Sequence, residues 1–166
     1  MRVGELHHVV VSVRDMERSL AFYRDGLGLR QTLVSEVRGR EVQDLLGLPE
    51  GMTGRTVYLQ GPSRIGQIEL IEWQPPVSDP TPAKRLEEPG IAVLSFPVAA
   101  EELGPMHAHL TSMGYQPRTE PHHAVVPGYG PIGAFLVPDP DGNLVELVSL
   151  PTEEQIREHR ASGAER

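Results

Sequence analysis

An internal repeat most strongly constrains how this chain of 166 residues can fold. The segment VYLQGPSRIGQIELIEW at 57–73 aligns without gaps with AFLVPDPDGNLVELVSL at 134–150. Earlier in each half, HVVVSV at 8–13 aligns with VLSFPV at 93–98. A repeat of this kind predicts two copies of one supersecondary unit, arranged in tandem.

The alignment also pairs residues whose chemistry is informative. It equates Glu69 with Glu146, Tyr58 with Phe135, and His8 with Val93. Three of the four matched His and Glu positions therefore carry a side chain that can bind a metal ion.

The stretch LHHVVVSVRDMERSLAFYRDGLGL at 6–29 predicts how each unit begins. Alternation of the valines with polar residues indicates a strand that has one apolar face. Asp15 is a good N-cap for a helix that ends at Gly26 or Gly28. The apolar face should lie under this helix, and His8 is then expected to face away from it.

The pattern of strands and helices predicts an α+β fold made of two β-α-β-β-β modules, at 1–74 and 90–150. The segment at 75–89 is rich in proline and polar residues, so it is interpreted as a linker. The polar tail at 151–166 predicts a solvated helix. Two open sheets, each with one helix behind it, are expected to pair into a cup-shaped mixed sheet.

Composition excludes several classes of site and partner. The chain contains no cysteine, so a metal must be held by imidazole, carboxylate, amide or water. A net charge of −8, with 15 Lys and Arg spread along the chain, argues against nucleic acid as a partner. The sequence has neither a signal-peptide pattern nor a long apolar run, which predicts a cytoplasmic protein without membrane contact.

Several motifs together identify a family resemblance. They are LHHVVVSV with DMERSLAFYRDGLGL at the start, IELIE at 68–72, PGIAVLSFPV at 89–98 and DPDGNLVELV at 139–148. The sequence resembles the vicinal oxygen chelate superfamily, which includes glyoxalase I, methylmalonyl-CoA epimerase, extradiol dioxygenases, fosfomycin resistance enzymes and bleomycin-binding proteins. The resemblance covers nearly the whole chain and implies the glyoxalase-like form of the predicted fold.

The resemblance also implies a set of metal ligands from the first and last strands of each module. The matching positions here are His8, Glu69 and Glu146, while the fourth position, usually His, is Val93. Such a set could hold one divalent ion, namely Mn, Co, Ni, Fe or Zn, with water or substrate oxygens completing the coordination.

Other histidines receive weaker predictions. Either His123 or His122 could supply the missing ligand, since both lie near a strand of the second module whose facing the sequence does not fix. His7 is expected to face the helix side with the valines, as a packing or edge residue. His107 and His109 are expected to be solvated, because a spacing of two does not share one helical face.

Residues around Glu69 have structural alternatives as well. Glu72 points the opposite way and is predicted to be exposed or to cap a helix. Trp73 and Tyr58 are predicted to be core aromatic residues rather than substrate platforms. An arginine such as Arg55 or Arg64 could form an ion pair with one of the buried acids.

The leading hypothesis is a divalent-metal-dependent enzyme that acts on a small oxygen-rich substrate. Glu146 or Glu69 would double as general base, which predicts isomerase, epimerase or lyase chemistry. The alternative is a metal-free binding protein of the bleomycin-resistance type, a possibility that Val93 favours and the two acids oppose. A dioxygenase of the extradiol type is a further alternative, which would need a second histidine. Exposed sheet edges favour a homodimer.

Overall fold

The computed structural model describes residues 3–76 and 86–161. The chain divides into two compact units, Met1–Thr81 and Pro82–Arg166. The middle of the predicted linker at 75–89 lies outside the described residues. Each unit contains one four-stranded sheet with helices, so the α+β prediction is confirmed.

The first unit follows the predicted β-α-β-β-β order. Its sheet has the strand order β1-β4-β3-β2, in which β1 runs parallel to β4 and the other pairs are antiparallel. Its elements are β1 (His8–Val13), α1 (Met16–Leu20), a π-helical segment (Ala21–Gly26), β2 (Arg30–Val37), α2 (Arg40–Leu46), β3 (Thr53–Gln60) and β4 (Gln67–Gln74).

The second unit repeats this arrangement with the strand order β5-β8-β7-β6, and β5 is parallel to β8. The recurrence of one strand order confirms the tandem modules. The elements are β5 (Leu94–Pro97), a 3-10 turn (Ala100–Glu102), α3 (Leu103–Ser112), β6 (His122–Val126), β7 (Gly130–Pro138), β8 (Leu144–Ser149) and α4 (Glu153–Ala161).

Two carboxylates fix the start of α1. Asp15 Oδ1 accepts a hydrogen bond from the Arg18 backbone N–H at 3.0 Å, and Glu72 Oε1 accepts one from Met16 at 3.3 Å. Both side chains satisfy N–H groups that have no partner within the helix. The predicted cap at Asp15 and the capping role of Glu72 are confirmed. The helical segment ends before Gly28, whose φ of 74° lies in the region that favours glycine.

The core of each unit lies on the sheet face that the helix covers. We call the opposite face of each sheet its open face. Buried apolar residues on the covered side include Val11, Val13, Met16, Leu20, Val57 and Leu70 in the first unit and Leu103, Leu110, Phe135, Val137, Val145 and Leu147 in the second. As predicted, His8 lies opposite the valines of β1, on the open face.

The hairpins of the two units differ in register by one residue. Tyr58 pairs with Glu69, whereas Glu146 pairs with Leu136. Phe135 instead lies on the covered face and is 1% exposed. The alignment of Tyr58 with Phe135 is therefore wrong, because a slip of one residue turns a strand's side chains to the other face.

The cause of this shift lies in the hairpin loops. The loop at 139–143 is one residue shorter than the loop at 61–66. Asp139 Oδ1 closes the shorter loop by accepting hydrogen bonds from the backbone of Asp141 at 2.9 Å and Asn143 at 2.8 Å. The DPDGN segment thus forms the predicted turn, in which Asp139 orders the backbone.

The last described helix, α4, lies against the start of β7. Arg160 Nε donates a hydrogen bond to the Gly128 carbonyl at 3.0 Å. The final residues of the predicted tail, at 162–166, lie outside the described residues. None of the helices in the described ranges is long and apolar enough to cross a membrane.

Candidate functional site

Two of the predicted metal ligands meet on the open face of the first sheet. Val10 pairs with Glu69 across the parallel β1 and β4 strands, and His8 lies two residues before Val10 on the same face. The distance from His8 Nε2 to Glu69 Oε2 is 3.3 Å. The Glu69 side chain is only 9% exposed, while that of His8 is 33% exposed. The acid is thus held in a sheltered position with the imidazole beside it.

Tyr58 approaches Glu69 from the other side, since the two are cross-strand partners in β3 and β4. Its ring also lies edge-on to His8, with ring centres 5.7 Å apart. Burial, together with the hydrogen bond to Glu69 and the charge of that acid, raises the pKa of Tyr58 to about 12. The hydroxyl therefore keeps its proton at neutral pH and acts as a donor.

His7 contacts the Nδ1 edge of the His8 ring, opposite the edge that faces Glu69. The Nδ1 atoms of the two imidazoles are 2.8 Å apart, so one ring donates and the other accepts. His7 is exposed, so of the two predicted alternatives it is not a residue packed with the valines. The reason is that His7 precedes the first residue of β1, so the alternation of the strand does not determine its direction.

The His8 and Glu69 pair has the spacing that two ligands of one ion require. Zinc binds imidazole nitrogen and carboxylate oxygen at about 2.0 to 2.2 Å, so neighbouring ligand atoms lie roughly 3 Å apart. The observed separation of 3.3 Å fits this value. Arg55, one of the two arginines predicted as alternative partners of a buried acid, instead forms an ion pair with Glu17 at 2.8 Å.

Glu146, the third predicted ligand, has a different environment on the open face of the second sheet. It is half-buried on β8 and pairs with Ser95 of β5. The Ser95 hydroxyl donates a hydrogen bond to Glu146 Oε2 at 2.5 Å. Its partner on the antiparallel side is Leu136, and Val93 stands two residues before Ser95. Hydroxyl and apolar groups thus replace the imidazole and phenol that surround Glu69.

The structure distinguishes the two candidate substitute ligands by their faces. His122 pairs with Ala134 and lies on the open face that also carries Glu146. His123 pairs with Gly133 on the covered face, where its Nδ1 would lie 2.7 Å from a Cβ built on that glycine. Of these two residues, His122 is the one whose side chain shares a face with the acid.

Two further observations concern the remaining candidates. Across 3–76 and 86–161, no group of three or more His, Asp or Glu side chains is arranged to hold a metal ion. The prediction that His107 is solvated is wrong, since its side chain is 16% exposed and lies 3.6 Å from Glu120. Its ring packs edge-on against Phe135, because this face of α3 covers β7. His109 is exposed, as predicted.

The sequence predicts His8 as a neighbour of Glu69, but it does not predict Tyr58 beside that acid, Ser95 beside Glu146 or His7 beside His8. Ser95 could have been found, because a parallel first strand aligned at His8 and Val93 places it opposite Glu146. The partnership of Tyr58 required knowledge of the hairpin register.

Comparison with known proteins agrees with the fold. A family model described as the Glyoxalase/Bleomycin resistance protein/Dioxygenase superfamily matches residues 5–147. A search of curated proteins finds no significant match.

Solved structures provide further matches. A glyoxalase family protein from Bacillus cereus has a TM-score of 0.75 at 16% identity, with coverage of 92% of this chain and 97% of that one. A glyoxalase/dioxygenase from Nostoc punctiforme has a TM-score of 0.63 at 18% identity, covering 89% and 92%.

A fosfomycin resistance protein from Listeria monocytogenes is also similar, with a TM-score of 0.57 at 17% identity and coverage of 93% and 98%. That structure is a mutant complexed with Mn(II) and 1S,2S-dihydroxypropylphosphonic acid. At these identities the solved structures establish similarity of fold, and the family model covers most of the sequence. The chain belongs to the glyoxalase/bleomycin resistance protein/dioxygenase superfamily.

Proposed function

We propose that this protein is a divalent-metal-dependent enzyme that acts on an oxygen-rich small molecule. The observation that carries the proposal is the His8 and Glu69 pair, whose Nε2 and Oε2 atoms are 3.3 Å apart on the open face of the first sheet. Glu146 is the third proposed ligand, on the basis of the family resemblance and its match to Glu69 in the repeat. Mn, Co, Ni, Fe and Zn all suit a ligand set of one imidazole and two carboxylates.

The neighbours of His8 support a role for it as a ligand. An imidazole that binds a metal through Nε2 carries its proton on Nδ1, and metal-binding histidines usually donate that proton to a second group. His7 Nδ1, at 2.8 Å, is in position to accept it. The contact between these two histidines would therefore select the tautomer that binds metal.

The proposed reaction is removal of a proton next to a carbonyl or similar group, as in an isomerase, epimerase or lyase. A bound ion would stabilise negative charge on two neighbouring substrate oxygens. Glu69 or Glu146 would take the proton as general base. The raised pKa of Tyr58, about 12, keeps its hydroxyl protonated, so it can orient the Glu69 carboxylate.

The acid of the second unit is held in a way that suits this role. The Ser95 hydroxyl donates a hydrogen bond to Oε2 of Glu146, which orients the carboxylate. Its second oxygen is left to bind an ion or to accept a proton. A fixed carboxylate loses less conformational freedom when it binds, and this favours both ligation and proton transfer.

Metal binding by matched variants tests the proposal. We expect the purified protein to hold about one equivalent of a divalent ion, and Glu69→Gln to lose most of it because an amide binds these ions more weakly. Glu36→Gln is the control, since that exposed acid pairs with Arg38 on the surface. Plasma mass spectrometry measures the metal content of both variants, and calorimetry measures their affinity for each ion after loading. Equal metal content in Glu69→Gln and the wild type would overturn the proposed site.

A second candidate function is a metal-free small-molecule binder of the bleomycin-resistance type. Val93 favours it, because the second unit lacks the imidazole that the first unit has at the matched position. Failure of every tested ion to bind or to raise the thermal unfolding temperature would select this candidate.

We further propose that the protein is a homodimer. The edge strands β2 and β6 expose apolar residues, with Leu33 and Val34 each 52% exposed and Val125 65% exposed. Uncovered edges of this kind are suited to pairing with a second copy. Sedimentation velocity that detects only monomer at micromolar concentration would contradict this proposal.

A further inference from the structure

The indole of Trp73 is held in a fixed orientation on the open face of the first sheet. Its Nε1–H donates a hydrogen bond to Ser12 Oγ on β1 at 3.0 Å. Its six-membered ring lies over Gly54 of β3, where an added Cβ would be 3.0 Å from Cε3. Because these contacts involve opposite edges of the indole, the ring spans the width of β4 from β1 to β3. Trp73 is half-buried, so the prediction that it belongs to the core is wrong.

This face also carries the proposed metal ligands. Glu69 and Trp73 are four residues apart on β4, so their Cα atoms lie about 13 Å apart along the strand. Val10 lies beside the acid on the same face and is 47% exposed, while Leu33, which is 52% exposed, lies beyond Tyr58 on β2. Ile71 lies between Glu69 and Trp73 on the same face and is only 4% exposed, so the acid and the indole are not joined by exposed surface. The open face therefore has a polar end at Glu69 and an aromatic end at Trp73, with the exposed Val10 beside the acid.

We propose that Trp73 is a ligand-binding platform that determines substrate specificity. The substrate it fits carries vicinal oxygens at one end and a planar aromatic group at the other, separated by roughly 10 Å, since the strand spacing sets the reach. This inference rests on the proposed function, because the oxygens are assigned to the ion at His8 and Glu69. It implies that short oxygen-rich molecules without a ring are poor ligands.

The physical basis is stacking on a ring that is already ordered. An aromatic pair contributes binding beyond the area that it buries, and a side chain that is fixed before binding loses little freedom. Gly54 is part of this arrangement, because an added Cβ would lie 3.0 Å from both Trp73 Cε3 and Ile71 Cγ2, and these side chains would have to shift to admit it. Ser12 contributes by satisfying the indole N–H, which fixes the direction of the ring.

Intrinsic fluorescence provides a direct test, because the chain contains a single tryptophan. The probes are α-hydroxy acids that carry a terminal phenyl ring on methylene chains of increasing length, and the controls are the same acids without the ring. We expect saturable changes in Trp73 emission, and about fivefold tighter binding than the ring-free acids at the best chain length. Titrations are run with and without Zn(II), and excitation is set where phenyl does not absorb.

Variants separate stacking from other effects. Trp73→Leu should remove the preference for ring-bearing acids, as measured by calorimetry. Ser12→Ala should weaken it partly while the fluorescence signal remains. Ser63→Ala, in the hairpin loop of the same unit, removes a hydroxyl that accepts the Ile65 N–H and should leave the preference unchanged. Circular dichroism checks that each variant is folded, and the Ser12 variant keeps the test decisive if Trp73→Leu does not fold.

Two measurements distinguish failure of this inference from failure of the proposed function. Mn(II) binding, followed by electron paramagnetic resonance, reports on the proposed ligands His8, Glu69 and Glu146 and should persist in Trp73→Leu. Intact Mn(II) binding with equal affinity for ring-bearing and ring-free acids at all lengths would overturn the platform only. Absence of metal binding in the wild type would overturn the proposed enzyme, and a ring preference under those conditions would support Trp73 as part of a metal-free binding site.

Discussion

The two units of this protein share one framework and differ in the chemistry of their open faces. Both sheets have a parallel pair between their first and last strands, and both place a glutamate on that last strand. Glu69 lies beside His8 and Tyr58, whereas Glu146 lies beside Ser95 and Leu136. An imidazole and a phenol lie beside the first acid, whereas an aliphatic hydroxyl donates to the second.

The comparison shows that the two repeats share a backbone arrangement, whereas individual residues determine the chemistry around each acid. Residues on the covered faces are constrained by packing, so both copies retain apolar side chains there. The open faces carry residues that differ in chemistry between the two units, as His8 and Val93 illustrate. The one-residue shift between the hairpins increases this divergence, because it replaces Tyr58 with Leu136 beside the acid.

The largest expected effect tests whether the frameworks are equivalent. Leu70 and Leu147 occupy matched positions and are 0% and 1% exposed. Leu70→Ala and Leu147→Ala should each lower the free energy of unfolding by about 2 to 5 kcal/mol, because each leaves a cavity in a packed core. Urea unfolding followed by circular dichroism measures both. A large cost in one unit and a negligible cost in the other would show that the frameworks are not equivalent.

The next effect concerns the matched pair His8 and Val93. His8→Ala should weaken binding of the preferred divalent ion by about 100-fold or more, since even the loss of an outer-shell partner costs up to that amount. Val93→Ala should leave ion affinity unchanged, because an aliphatic side chain cannot ligate. Calorimetric titration of both variants with the same ion compares the two units directly.

The converse substitution tests the same asymmetry in the opposite direction. Val93→His introduces an imidazole at the position that the repeat matches to His8, and we expect it to raise ion affinity. If Val93→His and Val93→Ala bind the ion equally, position 93 does not contribute to the metal site. Equal affinity in His8→Ala and the wild type would remove the proposed role of the first unit.

Much of the fold could be predicted from the sequence, because alternating and helical apolar patterns report which side chains are buried. It was harder to predict on which face of its sheet each site residue lies. His122 and His123 are adjacent, and their facing is set by which residues of β7 they pair with. Pairing depends on the register of two hairpins, which a pattern within one strand does not encode. The contact between His7 and His8 depends on the rotamers of both rings, which the sequence pattern does not report either.

A smaller effect concerns the helices of the two units. Asp15 caps α1, while among the described residues no side chain caps the N-terminus of α3. Asp15→Ala should lower stability by about 1 kcal/mol, the usual cost of losing a cap. Ala99→Asp, at the start of the 3-10 turn that precedes α3, should raise it by a similar or smaller amount. Thermal unfolding of both variants checks these signs, and a stabilising effect of Asp15→Ala would contradict the capping role.

The smallest expected effect concerns the residues opposite the two acids. Ser95→Ala removes the hydroxyl that donates to Glu146 and should lower stability by about 0.5 to 1 kcal/mol, since the bond is partly exposed to water. Val10→Ala, the matched change beside Glu69, should cost less, because Val10 is 47% exposed and donates no hydrogen bond from its side chain. Urea unfolding of both variants measures the loss of stability that each substitution causes.

If these costs are observed, the two acids differ in the residues that hold them in place. Ser95 on the neighbouring strand holds Glu146, and His8 with Tyr58 holds Glu69. If Val10→Ala destabilises the protein more than Ser95→Ala, the hydroxyl does not stabilise Glu146 in solution. In that case the second acid is free to move, and its proposed role as a fixed ligand or base loses its structural support.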